Sequence, residues 1–180
     1  ITYGDWSSDV CSSDLANRQE TPEDILSAVP DIKNIVRAFN IPTIEMNGYE
    51  ADDIIGALAK QAEKKGFEVY MVTPDKDYGQ LVSKNIKIYK PPYQGNTFEI
   101  LGPEEVCKKW DIEKVDQVID FLGLMGDAVD NIPGIPGVGE KTAAKLLAEY
   151  GTLEAVLENA DKIKGALGEK VRQGKDLAIM

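Results

Sequence analysis

The feature that most constrains the fold is a change of pattern near residue 100. Before it, short β-branched runs alternate with amphipathic helical stretches; after Gly102 every apolar run has helical spacing. Strands separated by helices predict a parallel sheet covered on both faces. The expected architecture is therefore an α/β half over residues 16–100 followed by an all-helical half over 101–180. In the first half, "TPEDILSAVPDIKNIVRAFN" predicts a helix with Thr21 as N-cap and Pro22 at its first position. "IPTIEM" (41–46) predicts a strand. "ADDIIGALAKQAEKKG" predicts a helix burying Ala51, Ile54, Ile55, Leu58 and Ala62 and stopped by Gly66. Strands follow at 67–74 and 86–90, with a short helix around 78–82 between them, and "NTFEI" adds a last strand. The second half reads as helices near 103–110, 114–125, 140–149, 152–159 and 166–172.

Residues 5–15, "DWSSDVCSSDL", have neither period. They read as the translation of a common short-read sequencing adapter, so residues 1–15 are expected to be foreign to the fold and to pack against nothing.

The chain has no histidine, which excludes Ser-His-Asp and Cys-His catalysis and the usual zinc sites. Cys11 and Cys107 make no disulfide framework, so a reducing cytoplasm is the expected setting. The net charge of −11 argues at first against a nucleic-acid partner. Its distribution weakens the objection: residues 1–130 hold 24 acidic and 13 basic side chains, whereas residues 131–180 hold 7 of each.

The acids fall where strands or helices end. "GYEADD" places Glu50, Asp52 and Asp53 after the run 41–46, "TPDKD" places Asp75 and Asp77 after the run 67–74, and "GDAVD" places Asp127 and Asp130 after the helix at 114–125. Ligands of parallel α/β sheets bind at the carboxyl ends of strands. A plain helix-start preference for acids is a fair alternative for the first group; it is weaker for Asp75 and Asp77 and weakest for all three together. Two carboxylates ~5 Å apart repel by roughly 3 kcal/mol at an effective dielectric of 20, so a converging set needs a counter-charge. Lys76 is the one cation inside these segments. Oxygen donors alone suit Mg²⁺ or Mn²⁺, and two such ions can activate water and clamp a phosphodiester. Glu50, Asp52, Asp75 and Asp77 are accordingly expected in one cleft.

"GDAVDNIPGIPGVGEKTA" resembles a phosphate-binding P-loop in the spacing of Gly134 and Gly139, but Glu140 separates Gly139 from Lys141 and would face the phosphates. The stretch fits a helix-hairpin-helix better. Gly134 and Gly137-Val138-Gly139 turn, Glu140 opens a helix whose amides can bind phosphate, and Lys141, Thr142 and Lys145 add contacts that position DNA without reading bases.

The motifs "GYEADDIIG", "TPDKDYGQLV" and "FLGLMGDAVDNIPGIPGVGEKTAAKLL" resemble the 5′-nuclease domains attached to bacterial DNA polymerases, within the larger 5′-to-3′ exonuclease and flap-endonuclease family. The resemblance covers residues 16–180. It implies a PIN-like nuclease core, a helix-three-turn-helix domain that grips duplex DNA, cleavage of DNA at 5′ ends or flaps, and a polymerase domain following in the full protein. It also implies that Glu50, Asp52, Asp53, Asp75, Asp77, Asp127 and Asp130 are metal-site carboxylates, with Asp75 and Asp127 central to catalysis, and that the hairpin holds K⁺ on backbone carbonyls. "ANRQE" is similar to the end of the family's Tyr-Lys-x-x-Arg segment, which implies a substrate contact for Arg18. Pro74 stands where many members have glycine. The family's first strand, with its own aspartate, and most of its arch would precede Ala16, so the fragment is expected to bind DNA and to cut it poorly. A non-catalytic DNA-binding module and a PIN-type ribonuclease are the competing readings.

Overall fold

The computed structural model describes residues 21–93, 95, 97–128 and 131–179. The expectations for residues 1–15, Arg18 and Asp130 lie outside them. Eight helices occur among the described residues: α1 Glu23–Ala38, α2 Ala51–Lys64, α3 Pro103–Trp110, α4 Gln117–Met125, α5 Glu140–Tyr150, α6 Leu153–Glu158, α7 Gly165–Gln173 and α8 Lys175–Ala178. Strands β1 Val69–Val72, β2 Ile86–Lys90 and β3 Glu99–Leu101 form one sheet in that order. The β1–β2 pair is parallel, with Val69 opposite Ile86; β3 returns antiparallel, with Ile88 opposite Leu101. None of the described helices is long and apolar enough to cross a membrane.

The expected α/β half followed by helices is what the chain forms, with three differences. Residues 41–46 have the alternation of a strand, but among the described residues they join no ladder, and Ile41, Ile44 and Met46 are more than half exposed. A strand is defined by its partner, and alternation alone supplies none. Second, α1 begins at Glu23 with Pro22 as N-cap and no side-chain cap bond, so Thr21 does not cap it. Third, the described residues cover one sheet face only. Met71, Ile86 and Ile88 point into the core, while Tyr70 and Val72 stay 45% and 68% exposed. The side of α2 bearing Ile55 and Leu58 is likewise open, and Ala59 is its one fully buried residue.

The core runs without a break from the sheet into the helices. Ile86 and Ile88 of β2, Val106 and Trp110 of α3, and Val118, Phe121 and Leu124 of α4 belong to the same buried cluster as Ala143, Leu146 and Leu147 of α5. The Trp110 and Phe121 rings meet at 4.9 Å with a 59° tilt. Gln117 is buried and satisfied: its amide oxygen accepts from the Glu113 and Lys114 amides, and its nitrogen donates to the Gly151 carbonyl at 2.8 Å.

Asp120 on α4 has a raised pKa. Burial is the main cause, the Glu154 carboxylate on α6 adds to it, and the Leu153 amide partly opposes it. An acid held above its unfolded value contributes stability below that value and loses it as pH rises through the folded pKa. Asp120→Asn is therefore expected to raise the melting temperature near neutral pH and to leave it unchanged near pH 3, as melts at the two pH values will read.

Candidate metal centre and nucleic-acid interface

Asp75 and Asp77 follow the carboxyl end of β1, and contacts through Tyr78 and Lys76 tie Asp52 and Asp127 to this segment. The loop after β1 is braced locally: the Thr73 hydroxyl accepts from the Asp75 amide at 3.1 Å, and Asp75 Oδ1 accepts from the Asp77 amide at 2.9 Å. The chain then turns through the short 3₁₀ segment Asp77–Leu81, which directs Tyr78 inward. Tyr78 is 6% exposed, and its hydroxyl donates to Asp52 Oδ1 at 2.7 Å. Burial, and then the adjacent Asp52 and Asp75 charges, push this hydroxyl well above the ordinary tyrosine value. It therefore keeps its proton and remains a donor. Lys76 reaches across to the helical half and forms an ion pair with Asp127, which is 7% exposed.

Asp127 stands at the base of the loop that leads to the glycine-rich hairpin. Asp127 and Ile132 exchange two backbone bonds, at 2.9 and 2.8 Å, and the Ile135 amide donates to the Leu124 carbonyl at 2.9 Å. The turn closes as the Val138 amide donates to the Ile135 carbonyl at 2.9 Å. Gly137 supplies the left-handed φ of +77°, and Gly139 is the N-cap of α5. The Gly139 carbonyl accepts from the Thr142 and Ala143 amides, which leaves the Glu140 and Lys141 amides at the open end of the helix. Lys141 and Lys145 are exposed and Thr142 half-buried.

Of the expected hairpin contacts, Gly137, Gly139, Lys141, Thr142 and Lys145 lie where a phosphate can reach them. Gly134 and Val138 do not. Gly134 is buried with its Cα against the backbone of Met125 and Gly126, and Val138 is buried in the core. Both are packing positions that shape the turn.

The expected single cleft of Glu50, Asp52, Asp75 and Asp77 does not close among the described residues, which contain no group of three or more acids placed to hold a metal ion. Asp53 accepts the Glu50 amide at 3.2 Å and so helps to start α2. In kind the donors fit a hard divalent cation: they are all carboxylate oxygens, and Asp52, Asp75, Asp77 and Asp127 come from three segments tied together through Tyr78 and Lys76. Tyr78 was not among the residues singled out from sequence. An aromatic beside an acid pair reads as core, and nothing local reveals a partner 26 residues away. Lys90 and Lys109 were also missed; they line a narrow crevice with Thr73, Asp75 and Lys76, Lys90 paired with Glu99 and Lys109 over the Trp110 ring.

Comparison with known proteins shows the family and the fold. Residues 6–111 match the family model described as 5′-3′ exonuclease, N-terminal resolvase-like domain, and residues 113–180 match 5′-3′ exonuclease, C-terminal SAM fold. The chain is 44% identical over 164 residues to DNA polymerase I of Bacillus caldotenax and 46% identical over 170 residues to that of Synechocystis sp., with 91% of the chain covered in both. It spans about a fifth of the length of these relatives, 19% and 17% respectively. Among solved structures it is similar to the bacteriophage T5 flap endonuclease in a pseudo-enzyme–product complex with DNA and metal ions. That likeness has a TM-score of 0.79 at 19% identity over 93% of this chain and 64% of that one. The catalytic core of Rad2 in complex with DNA substrate has a TM-score of 0.55 at 18% identity, over 89% of this chain and 51% of that one. At these identities the structures speak to the fold alone.

Proposed function

The chain belongs to the 5′-3′ exonuclease family, and from that premise we propose that it is the nuclease portion of a DNA polymerase I, a metal-dependent enzyme that hydrolyses DNA phosphodiesters at 5′ ends or 5′ flaps. The observation that carries the proposal is the Asp127–Ile132 bridge, which fastens a site carboxylate to the same loop that builds the phosphate-binding hairpin. Binding and chemistry then share one piece of backbone.

The hairpin amides, with Lys141, Thr142 and Lys145, hold a duplex by its phosphates and leave the bases unread. Asp52, Asp75, Asp77 and Asp127 are the residues that would hold Mg²⁺ or Mn²⁺, with Glu50 and Asp130 adjoining them in sequence and Arg18 on the 5′ strand. A bound ion supplies Lewis-acid polarisation of the phosphate and a more acidic water. The chain's own part is positional. Tyr78 fixes the Asp52 carboxylate, Lys76 offsets the charge of Asp127, and Lys90 and Lys109 draw the phosphate toward the crevice.

The test uses the full-length protein that carries this sequence and a duplex labelled on a 5′ flap. Cleavage at the flap base is expected with Mg²⁺ or Mn²⁺ and should stop in excess chelator while duplex binding persists. Cleavage undiminished by chelator would overturn the metal assignment. Binding without cleavage would favour the DNA-binding module, and preference for an RNA flap would favour a ribonuclease.

A further inference from the structure

Lys170 lies 33 residues beyond Gly137 in sequence and directly against it in space. Helix α7 brings it there. The C-terminal end of α7 packs on the first part of the hairpin, so closely that a Cβ at Gly174 would come within 2.9 Å of Ile135 Cγ2. One turn earlier, the Lys170 stem crosses the outer side of Gly137, where a Cβ would lie 3.2 Å from Lys170 Cε. The ammonium donates to the Gly137 carbonyl at 3.4 Å, a long and therefore weak bond, and the side chain is exposed. A lysine held by strong partners would not be free to serve a ligand; this one is placed at the turn and only loosely engaged.

The surrounding charge favours an anion there. Glu169, the acid beside Lys170, is already bonded by Arg172 at 2.8 Å and by Gln173 at 2.8 Å, and its pKa is lowered accordingly. Lys141 and Lys145 are exposed on α5, the helix that opens directly after the same turn. The helix that follows the glycine turn and a helix that starts 25 residues further on, α7, thus both carry exposed lysines near it.

We propose that Lys170 is a phosphate-binding residue of the hairpin, taking a phosphodiester of the DNA strand that the turn engages. Its contribution is to position the backbone, with no base preference. The inference rests on the DNA-binding part of the proposed function and adds to the hairpin a residue from outside its motif.

The test is the salt dependence of duplex binding by the 180-residue chain, read by fluorescence anisotropy with a labelled DNA duplex. Each phosphate neutralised by a cation contributes about −0.9 to the slope of log K against log salt concentration. Lys170→Met keeps the stem over Gly137 and removes the charge, so it should make the slope shallower by about 0.9 and weaken binding several-fold at low salt. Lys170→Arg should keep the parent slope. Lys141→Met, as a control on the hairpin itself, should also lose about 0.9. If Lys141→Met loses slope and Lys170→Met does not, the assignment of Lys170 falls while the hairpin reading stands. If both Lys170 variants lose slope equally, Lys170 acts by packing and the proposal is overturned. If the parent chain shows no salt-dependent binding, the DNA reading and this inference fall together.

Discussion

Gly134→Ala is expected to lower the melting temperature by roughly 10 °C and to remove most duplex binding. Gly134 has a φ of +55°, and the place where a Cβ would stand is filled by backbone: Met125 C, and Gly126 N and Cα, the last at 2.7 Å. The contact is reciprocal, because a Cβ on Gly126, at φ +76°, would meet the Ile132 carbonyl oxygen at 2.6 Å and Pro133 C at 2.7 Å. Two backbones touch here, and neither can swing aside as a side-chain end could. A left-handed alanine costs about 1–2 kcal/mol and overpacking a further ~1–3. At about 2–4 °C per kcal/mol for a chain of this size, the melting temperature falls by the amount stated. Binding falls with it, because the same loop sets the Ile135–Val138 turn. Gly139→Ala makes the contrast: φ there is −109° and a Cβ would meet nothing within 4 Å, so a loss below about 1 kcal/mol is expected. A Gly134→Ala chain that melts within about 2 °C of the parent would show that the loop can open without cost.

Phe121→Ala should cost about 3–5 kcal/mol, the usual range for a fully buried aromatic truncated to alanine. Phe121 is 1% exposed and lies against Trp110 at the point where the first family segment, ending at residue 111, meets the second, beginning at residue 113. The loss should appear as a lower urea midpoint and as a red shift in the emission of Trp110, now 7% exposed. Since the cavity opens between the two halves, the variant should also unfold less cooperatively than the parent. A cost under about 1 kcal/mol would mean that the neighbouring side chains collapse into the space.

Local patterns carried most of the fold. The run "IKIYK" became β2 and "PEEVCKKW" became α3, each at its expected limits, because alternation and 3.6-residue spacing are properties of the run itself. "IPTIEM" has the same alternation and no partner among the described residues, which no reading of its own six residues could reveal. The site was legible as a set of acids and a glycine turn, and less legible as geometry. Asp52 and Tyr78 stand 26 residues apart, and Gly137 and Lys170 stand 33 apart; these pairs are made by packing. Gly134 shows the opposite error. Its place in a phosphate-binding motif suggests exposure, while the backbone of Gly126 buries it.

The shared core of Trp110, Val118 and Phe121 has a consequence for measurement. Among the described residues one buried cluster takes in Met71 and Tyr78 beside the acids and Ile135 and Val138 of the hairpin, and Lys76 is tied to Asp127. Under the proposed function, a phosphate seated at Gly137 fixes how many nucleotides away the strand meets Asp75 and Asp127. The molecule then acts as a ruler whose length is set by the packing of aliphatic and aromatic side chains, and the position of the cut along the DNA is counted in the protein's interior.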